Sequence, residues 1–178
     1  MRPSPEWQAK AKYKANAILK EYFEIHSLVL PIPIQDVIEF YMQDVNFITS
    51  DDYDFPEGVS ALARRDISIG WMVIVNGNEC KERQRFSSAH EFGHMALMTN
   101  TSKEVHCSTD KGSWEEKLCD MFAGHLLMPE AFVRSYYELH PSPYVEDIAR
   151  AFKVSQQVAE IELEYLGLPV KSKFSVEF

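Results

Sequence analysis

Two histidines and a glutamate stand together in the motif His90-Glu91-Phe92-Gly93-His94. Residues four apart on an α-helix lie on one face about one turn apart, so the imidazoles of His90 and His94 can bind one metal ion. Glu91 lies beside that face, where its carboxylate can accept a proton from a water molecule that the metal activates. We therefore predict a zinc site with His90 and His94 as ligands and Glu91 as the catalytic base.

A catalytic zinc ion usually has three protein ligands, so one more must come from elsewhere in the chain. The extended motif HExxHxxGxxH needs glycine and histidine where this sequence has Leu97 and Asn100. A carboxylate on a following helix is the other common solution, and Glu116 is suitably placed. Ser113 and Glu116 have the S-x-x-E spacing of a capping box, which would begin a helix with Glu116 in its first turn.

Asp120 lies one helical turn after Glu116 and would share its face. We predict that Asp120 accepts a hydrogen bond from a ligating histidine and orients it, without binding the metal itself. His106 and His125 remain alternatives for the third ligand. Glu115 points roughly 100° away from Glu116 around the predicted helix and is expected to be exposed.

The pattern of apolar residues predicts mostly helices, with strands shortly before the motif. Helical periodicity predicts helices at about 5–25, 34–42, 82–99, 113–127, 129–139, 143–152 and 155–166. Residues 59–66 and 67–75 are rich in β-branched and aromatic side chains, and the sequence Asn76-Gly77-Asn78 is typical of a turn. We predict an α+β fold, mostly helical, with a small three-stranded sheet packed beside the HExxH helix in a zincin-like arrangement.

Length, composition and charge limit the classes of protein that fit. A chain of 178 residues with 46% hydrophobic residues is typical of one globular domain. Its net charge of −9 repels phosphate backbones and anionic membranes, so we expect no direct binding to nucleic acid or membrane. The N-terminus lacks the apolar core of a signal peptide, and the three cysteines lack CxxC spacing. We therefore expect a cytoplasmic protein.

The last part of the chain imitates a helix-turn-helix over residues 145–168. Its second helix, residues 155–164, contains three glutamates and no lysine or arginine, so a phosphate-lined groove would repel it. We expect a packing or docking role instead. We expect a single domain over 1–178, with N-terminal helices in 1–50, the zincin-like core in 51–142, this docking segment in 143–168 and a tail in 169–178.

Three stretches of the chain resemble the ImmA/IrrE-type metallo-endopeptidases. They are residues 85–94 (RFSSAHEFGH), residues 122–129 (FAGHLLMP), and residues 148–155 (IARAFKVS) continued by the LGL of 166–168. The resemblance implies a zinc peptidase domain whose third ligand is Glu116, paired with Asp120. It also implies a regulator that cleaves a helix-turn-helix repressor and so relieves repression. The chain departs from the family pattern at His125, where an acidic residue is usual, and at Met98, where many members have a third histidine.

The leading interpretation is therefore a zinc-dependent, site-specific endopeptidase with a protein substrate. The alternative is a zinc-binding regulator or toxin-like protein that acts by binding a partner without cutting it. Glu91 favours the peptidase, because metal binding alone does not need this carboxylate. A tyrosine or histidine in the C-terminal helices would be suitable for stabilising the oxyanion.

Overall fold

The computed structural model describes residues 3–66, 68–97 and 113–173. In these ranges the chain forms seven helices and one three-stranded sheet, which confirms the predicted α+β class. The elements follow in the order α1 (Pro5–Ile25), α2 (Ile34–Tyr41), β1 (Val45–Ser50), β2 (Ala61–Asp66), β3 (Gly70–Asn76), α3 (Lys81–Leu97), α4 (Trp114–Leu127), α5 (Glu130–Leu139), α6 (Val145–Phe152) and α7 (Gln156–Tyr165). No helix in the described ranges is long and apolar enough to cross a membrane.

The sheet is mixed and has β3 at its centre. Strand β1 pairs with β3 in parallel, and β2 pairs with β3 in antiparallel orientation. Ala61 lies opposite Val75 and Ala63 lies opposite Val73, and these four residues are buried on one face of the sheet. Helix α3 packs against β2 and β3. The helix that carries the histidine motif therefore lies beside the sheet, as predicted.

Strand β1 is the element that the sequence pattern does not locate. The predicted strands lie within residues 59–75, whereas β1 occupies residues 45–50, directly after α2. Only Val45 and Phe47 of this strand pack against the core, which is too short an alternation for periodicity to detect. Its position comes from tertiary pairing with β3, in which Phe47 lies opposite Val73.

Helices α3 and α4 make the most extensive contact between helices in the described structure. Gly93 lies at their crossing, where an added Cβ would be 3.1 Å from Cδ1 of Phe122 and 3.2 Å from Cα of Cys119. The rings of Phe92 and Phe122 pack edge to face there, with centroids 5.6 Å apart. Since Phe92, Phe122 and Cys119 are fully buried, the crossing has no room for a larger residue at position 93.

Helices α6 and α7 are joined by a short turn, where the sequence places it. Lys153 ends α6 in the left-handed conformation with φ 50°, and the Ser155 side chain begins α7 by accepting a hydrogen bond from the Val158 N–H at 3.2 Å. Arg85 of α3 donates hydrogen bonds to the carbonyl oxygens of Ile32 (2.8 Å) and Lys153 (3.2 Å). Arg85 thereby attaches the C-terminal helix pair to the helix that carries the motif.

Replacing Gly93 by alanine should destabilise the protein, although alanine is the better helix former. The change gains about 1 kcal/mol of helix propensity. At this crossing, however, the new methyl group overpacks a rigid contact, which typically costs about 1–3 kcal/mol. We expect Gly93→Ala to lower the free energy of unfolding measured in urea, whereas Glu138→Ala, at an exposed site on α5, should leave it unchanged. A Gly93→Ala variant as stable as the wild type would contradict the tight crossing.

Candidate metal centre

Helices α3 and α4 bring together the three side chains that the sequence predicts as metal ligands. His90 and His94 lie one turn apart on α3, with their Nε2 atoms 3.1 Å from each other. Glu116 lies in the first turn of α4, with Oε2 3.2 Å from Nε2 of His90 and Oε1 3.3 Å from Nε2 of His94. This group could hold a metal ion, since its candidate ligand atoms all lie within 4.8 Å of one another.

The spacing of the three donors fits a small divalent ion. Tetrahedral zinc binds nitrogen and oxygen ligands at about 2.0–2.2 Å, which puts neighbouring ligand atoms about 3.3–3.6 Å apart. The observed separations of 3.1, 3.2 and 3.3 Å are close to this range. Two imidazoles and one carboxylate are also the donor set of a known class of catalytic zinc site. The residues present therefore fit a divalent metal ion such as zinc.

Glu116 carries the negative charge of this group and is buried. Its backbone N–H donates to Oγ of Ser113 at 3.2 Å, which begins α4 as predicted. The reciprocal contact of a capping box is not formed among the described residues, because the carboxylate turns to the two histidines instead. Within the described ranges, Oε1 of Glu116 has no hydrogen-bond partner. A buried carboxylate oxygen without a partner is costly unless a cation satisfies it, so this atom also favours a bound metal.

In the metal-free protein, the group of three candidate ligands binds a proton on an imidazole. Burial lowers the pKa of His90, but the hydrogen bonds to Asp120 and Glu116 outweigh burial and raise that pKa to about 9. Burial raises the pKa of Glu116, but the facing imidazoles of His90 and His94 outweigh burial and lower that pKa to about 2. The group therefore holds a proton on an imidazole at neutral pH, and a divalent ion has to displace it.

Asp120 makes the contact with His90 that the sequence predicts. Its Oδ1 atom lies 2.8 Å from Nδ1 of His90. When Nδ1 donates its N–H to this carboxylate, Nε2 of the same ring is left to bind a metal, and the ring orientation is fixed. The Asp120 side chain is 53% exposed, so it lies at the mouth of the site rather than inside it. Its effect on a bound metal stays a prediction.

Glu91 lies beside the ligand group and is almost completely buried, with 2% of its surface exposed. Burial raises the pKa of Glu91, and the nearby His90 and His94 partly oppose this rise. Oε2 of Glu91 has no hydrogen-bond partner in the part of the chain that the structure describes. A carboxylate with a raised pKa and an unused oxygen can accept a proton and return it, which is what a general base requires.

A cleft of about 180 Å³ opens over these side chains, bounded on one side by residues 58–61. Arg83 lines the cleft and donates its Nε–H to Oγ of Ser60 at 3.0 Å. Arg83 is not among the site residues predicted from the sequence, although its seven-residue spacing from His90 places both on one face of α3. The tyrosine or histidine expected from the C-terminal helices does not line this cleft within the described residues. Arg83 lies there instead, and its guanidinium can donate hydrogen bonds.

The alternative third ligands do not join the metal group where the structure describes them. Nδ1 of His125 lies 2.9 Å from Oε2 of Glu162 on α7, and both side chains are buried. Glu115 is half-buried and lies outside the group. His106 lies outside the described residues. Of the described candidates, Glu116 is the one that the fold places with both histidines, and its role as a ligand stays a prediction.

Comparison with known proteins connects this geometry to a family of metallopeptidases. Residues 48–164 match the sequence profile of the IrrE N-terminal-like domain, a peptidase family. The chain belongs to this family. The match confirms the resemblance seen in the sequence motifs, and its range contains all five predicted site residues, which are His90, Glu91, His94, Glu116 and Asp120.

Two longer proteins are similar to this IrrE-like chain. The radiation response metalloprotease IrrE of Deinococcus radiodurans is 27% identical over an alignment of 103 positions, which covers 49% of this chain and 31% of that protein. A Mycobacterium tuberculosis transcriptional regulator superposes with a TM-score of 0.55 and 14% identity, over 90% of this chain and 47% of its own. The chain therefore spans less than half the length of either protein. The second likeness shows the fold alone.

Removal of any one ligand should weaken metal binding, because a site with three protein ligands has no spare partner. We expect about one zinc ion per chain in the wild type, and strong loss of zinc in His90→Ala, His94→Ala and Glu116→Ala. Asp120→Ala should be milder, with affinity reduced about 10–100-fold. The measurement is zinc content after competition with a chelator, and His140→Ala, which removes an exposed histidine, is the matched control.

Two results would contradict this assignment. If Glu116→Ala retained zinc while His125→Ala or His106→Ala lost it, the third ligand would be a histidine. If Asp120→Ala retained zinc as strongly as the wild type, the contact with His90 would have no influence on the metal.

Proposed function

We propose that the chain is a zinc-dependent endopeptidase that cuts one or a few bonds in a protein substrate. The observation that carries the proposal is the place of Glu91, a buried carboxylate with an unpartnered oxygen beside three candidate metal ligands. Metal binding alone has no use for such a carboxylate. Hydrolysis does, because a water molecule that attacks a peptide carbonyl must give up a proton.

Each residue of the site has a definite task in this reaction. Zinc, when bound, supplies a Lewis acid that polarises the peptide carbonyl and lowers the pKa of water. His90, His94 and Glu116 hold the ion. Glu91 accepts the proton of the attacking water and returns it to the leaving amine. Arg83 offers N–H donors in the cleft, where a carbonyl oxygen of the bound peptide can accept them.

We propose a helix-turn-helix transcriptional repressor as the substrate, as the family resemblance implies. The net charge of −9 suits a basic DNA-binding partner. Helix α7 contributes to this charge through Glu164, which is exposed, and Glu160, which is half-buried. The third glutamate of that helix, Glu162, is buried against His125 and is not part of the acidic surface. Such a substrate would make this a cytoplasmic regulator of transcription.

Replacing the proposed base should separate binding from chemistry. Glu91→Gln keeps the shape of the side chain but cannot accept a proton, so we expect zinc content to persist while proteolysis falls by at least ~10²-fold. Zinc content and the rate of substrate cleavage are measured on the same preparations. Undiminished cleavage by Glu91→Gln would exclude the role of base. A wild type that binds zinc and a repressor but cuts nothing would favour the alternative, a regulator that acts by binding.

Cleavage of a cognate repressor should depend on the exposed charges of α7. We expect the double variant Glu160→Gln, Glu164→Gln to cleave the repressor more slowly, mainly through slower association. The wild-type rate should fall as salt rises, since screening limits such attraction to about 8 Å at physiological ionic strength. Glu21→Gln, Glu24→Gln removes the same charge from exposed positions on α1 and should have little effect. Broad digestion of unrelated proteins, at a rate that does not depend on salt, would contradict the proposal that the substrate is one repressor.

A further inference from the structure

A second and larger cavity adjoins the metal cleft. This groove, of about 540 Å³, lies between the start of α3, the second half of α4 and helix α7. Arg83, Phe86 and Asp120 line both the groove and the metal cleft. The two spaces are therefore adjacent, and a peptide lying across the ligands can place a neighbouring side chain in the groove.

The walls of the groove are largely apolar. They are formed by Phe86 of α3, Met121 of α4 and, on α7, Val158, Ile161 and Tyr165. Ile161 is 55% exposed, so its side chain can pack against a bound group. Such walls can pack against the methylene stem of a long side chain.

The groove also contains a buried polar pair. His125 and Glu162 are each 4% exposed, and Nδ1 of His125 lies 2.9 Å from Oε2 of Glu162. Position 124 is a glycine, and a Cβ there would lie 2.2 Å from Oε1 of Glu162, so the absent side chain makes room for the carboxylate. Nε2 of His125 has no hydrogen-bond partner among the described residues. Buried polar atoms are nearly always paired, so this nitrogen is available to a partner other than the described residues.

The hydrogen-bond chemistry of the pair specifies what that partner must offer. Nδ1 donates its N–H to the carboxylate, because a carboxylate can only accept. When Nε2 carries no proton it is an acceptor, and it then takes an N–H or O–H donor. Glu79, Glu82, Asp120 and Glu162 contribute carboxylates to the groove, whereas its described lining has one guanidinium, Arg83. This balance of charge favours a cationic donor.

We propose that the groove binds an arginine or lysine side chain of the substrate, close to the bond that is cut. Its stem packs against the apolar walls, and its cationic end donates to Nε2 of His125 and faces the carboxylate of Glu162. The proposal rests on the peptidase function, since it assigns the side chain to the substrate. It adds a selectivity that the metal and Glu91 cannot provide, because those groups act on the peptide bond that all substrates share.

The test is an NMR titration of the zinc-loaded full chain, labelled with ¹⁵N at its histidines. The probes are N-acetyl-arginine N-methylamide and its norleucine counterpart, which has an apolar chain without a cation. We expect the arginine probe to shift the Nε2 signal of His125 and to bind about tenfold more tightly than the norleucine probe. The signal of His125 is identified by its loss in His125→Gln.

Two variants distinguish the effect of the Glu162 carboxylate from the effect of the overall negative charge of the protein. Glu162→Gln keeps the size of the side chain and should reduce the preference for the arginine probe by at least about fivefold. Glu138→Gln removes a charge from an exposed site on α5, outside the groove, and should leave the preference unchanged. If Glu162→Gln fails to fold, the two probes on the wild type decide the question.

Equal binding of the two probes would overturn the proposal, and so would binding that leaves the His125 signal unmoved. A wild type that binds the arginine probe at His125 but cuts no peptide would support the groove and overturn the peptidase function. Where peptides are cut, mass spectrometry of the fragments should find arginine or lysine at one fixed position from the cleaved bond. Cleavage with no such preference would contradict the proposal that the groove binds a substrate side chain close to the cleaved bond.

Discussion

The close approach of α3 and α4 at Gly93 is the contact on which both the core and the site depend. Gly93 precedes His94 and packs against Cys119, which lies three residues after Glu116, so the crossing also sets the distance between ligands from the two helices. A wider crossing would relieve the backbone contact at Cys119 and at the same time draw the Glu116 carboxylate away from the imidazoles. The geometry of the metal group is therefore a consequence of core packing, in a region too tightly packed to adjust without cost.

Burial of charged groups is the second constraint, and the pairing of opposite charges offsets its cost. His90 gains a proton affinity above that of a free imidazole because Asp120 and Glu116 face it, and Glu116 remains ionised because both histidines face its carboxylate. Either group alone would be expensive to bury. A divalent ion can replace the shared proton without changing which side chains face one another. The same arrangement thus accounts for a stable metal-free core and for a site already arranged to bind metal.

The sequence predicts those features that depend on spacing within one helix, and it misses those that depend on contacts between elements. The i, i+4 histidines and the S-x-x-E start of α4 follow from local geometry, and the structure places His90, His94 and Glu116 together. Helical periodicity could have placed Glu162 on the buried face of α7, since Ala159 and Leu163 share that face, but its charge suggested exposure. Only its partner on α4, His125, explains why a carboxylate is buried there. Strand β1 was missed for a similar reason, because its pairing with β3 is tertiary.

Three buried side-chain atoms in the described residues have no hydrogen-bond partner: Oε2 of Glu91, Oε1 of Glu116 and Nε2 of His125. Each costs folding free energy, and a protein selected for stability alone would pair or remove such atoms. Two of the three lie at the metal centre, where a metal ion and a water molecule would satisfy them. The third lies in the adjacent groove, on a pair of side chains that also joins α4 to α7. Because the unpaired atoms lie at two neighbouring spaces, the stability that they cost is concentrated where a metal and a peptide can restore it.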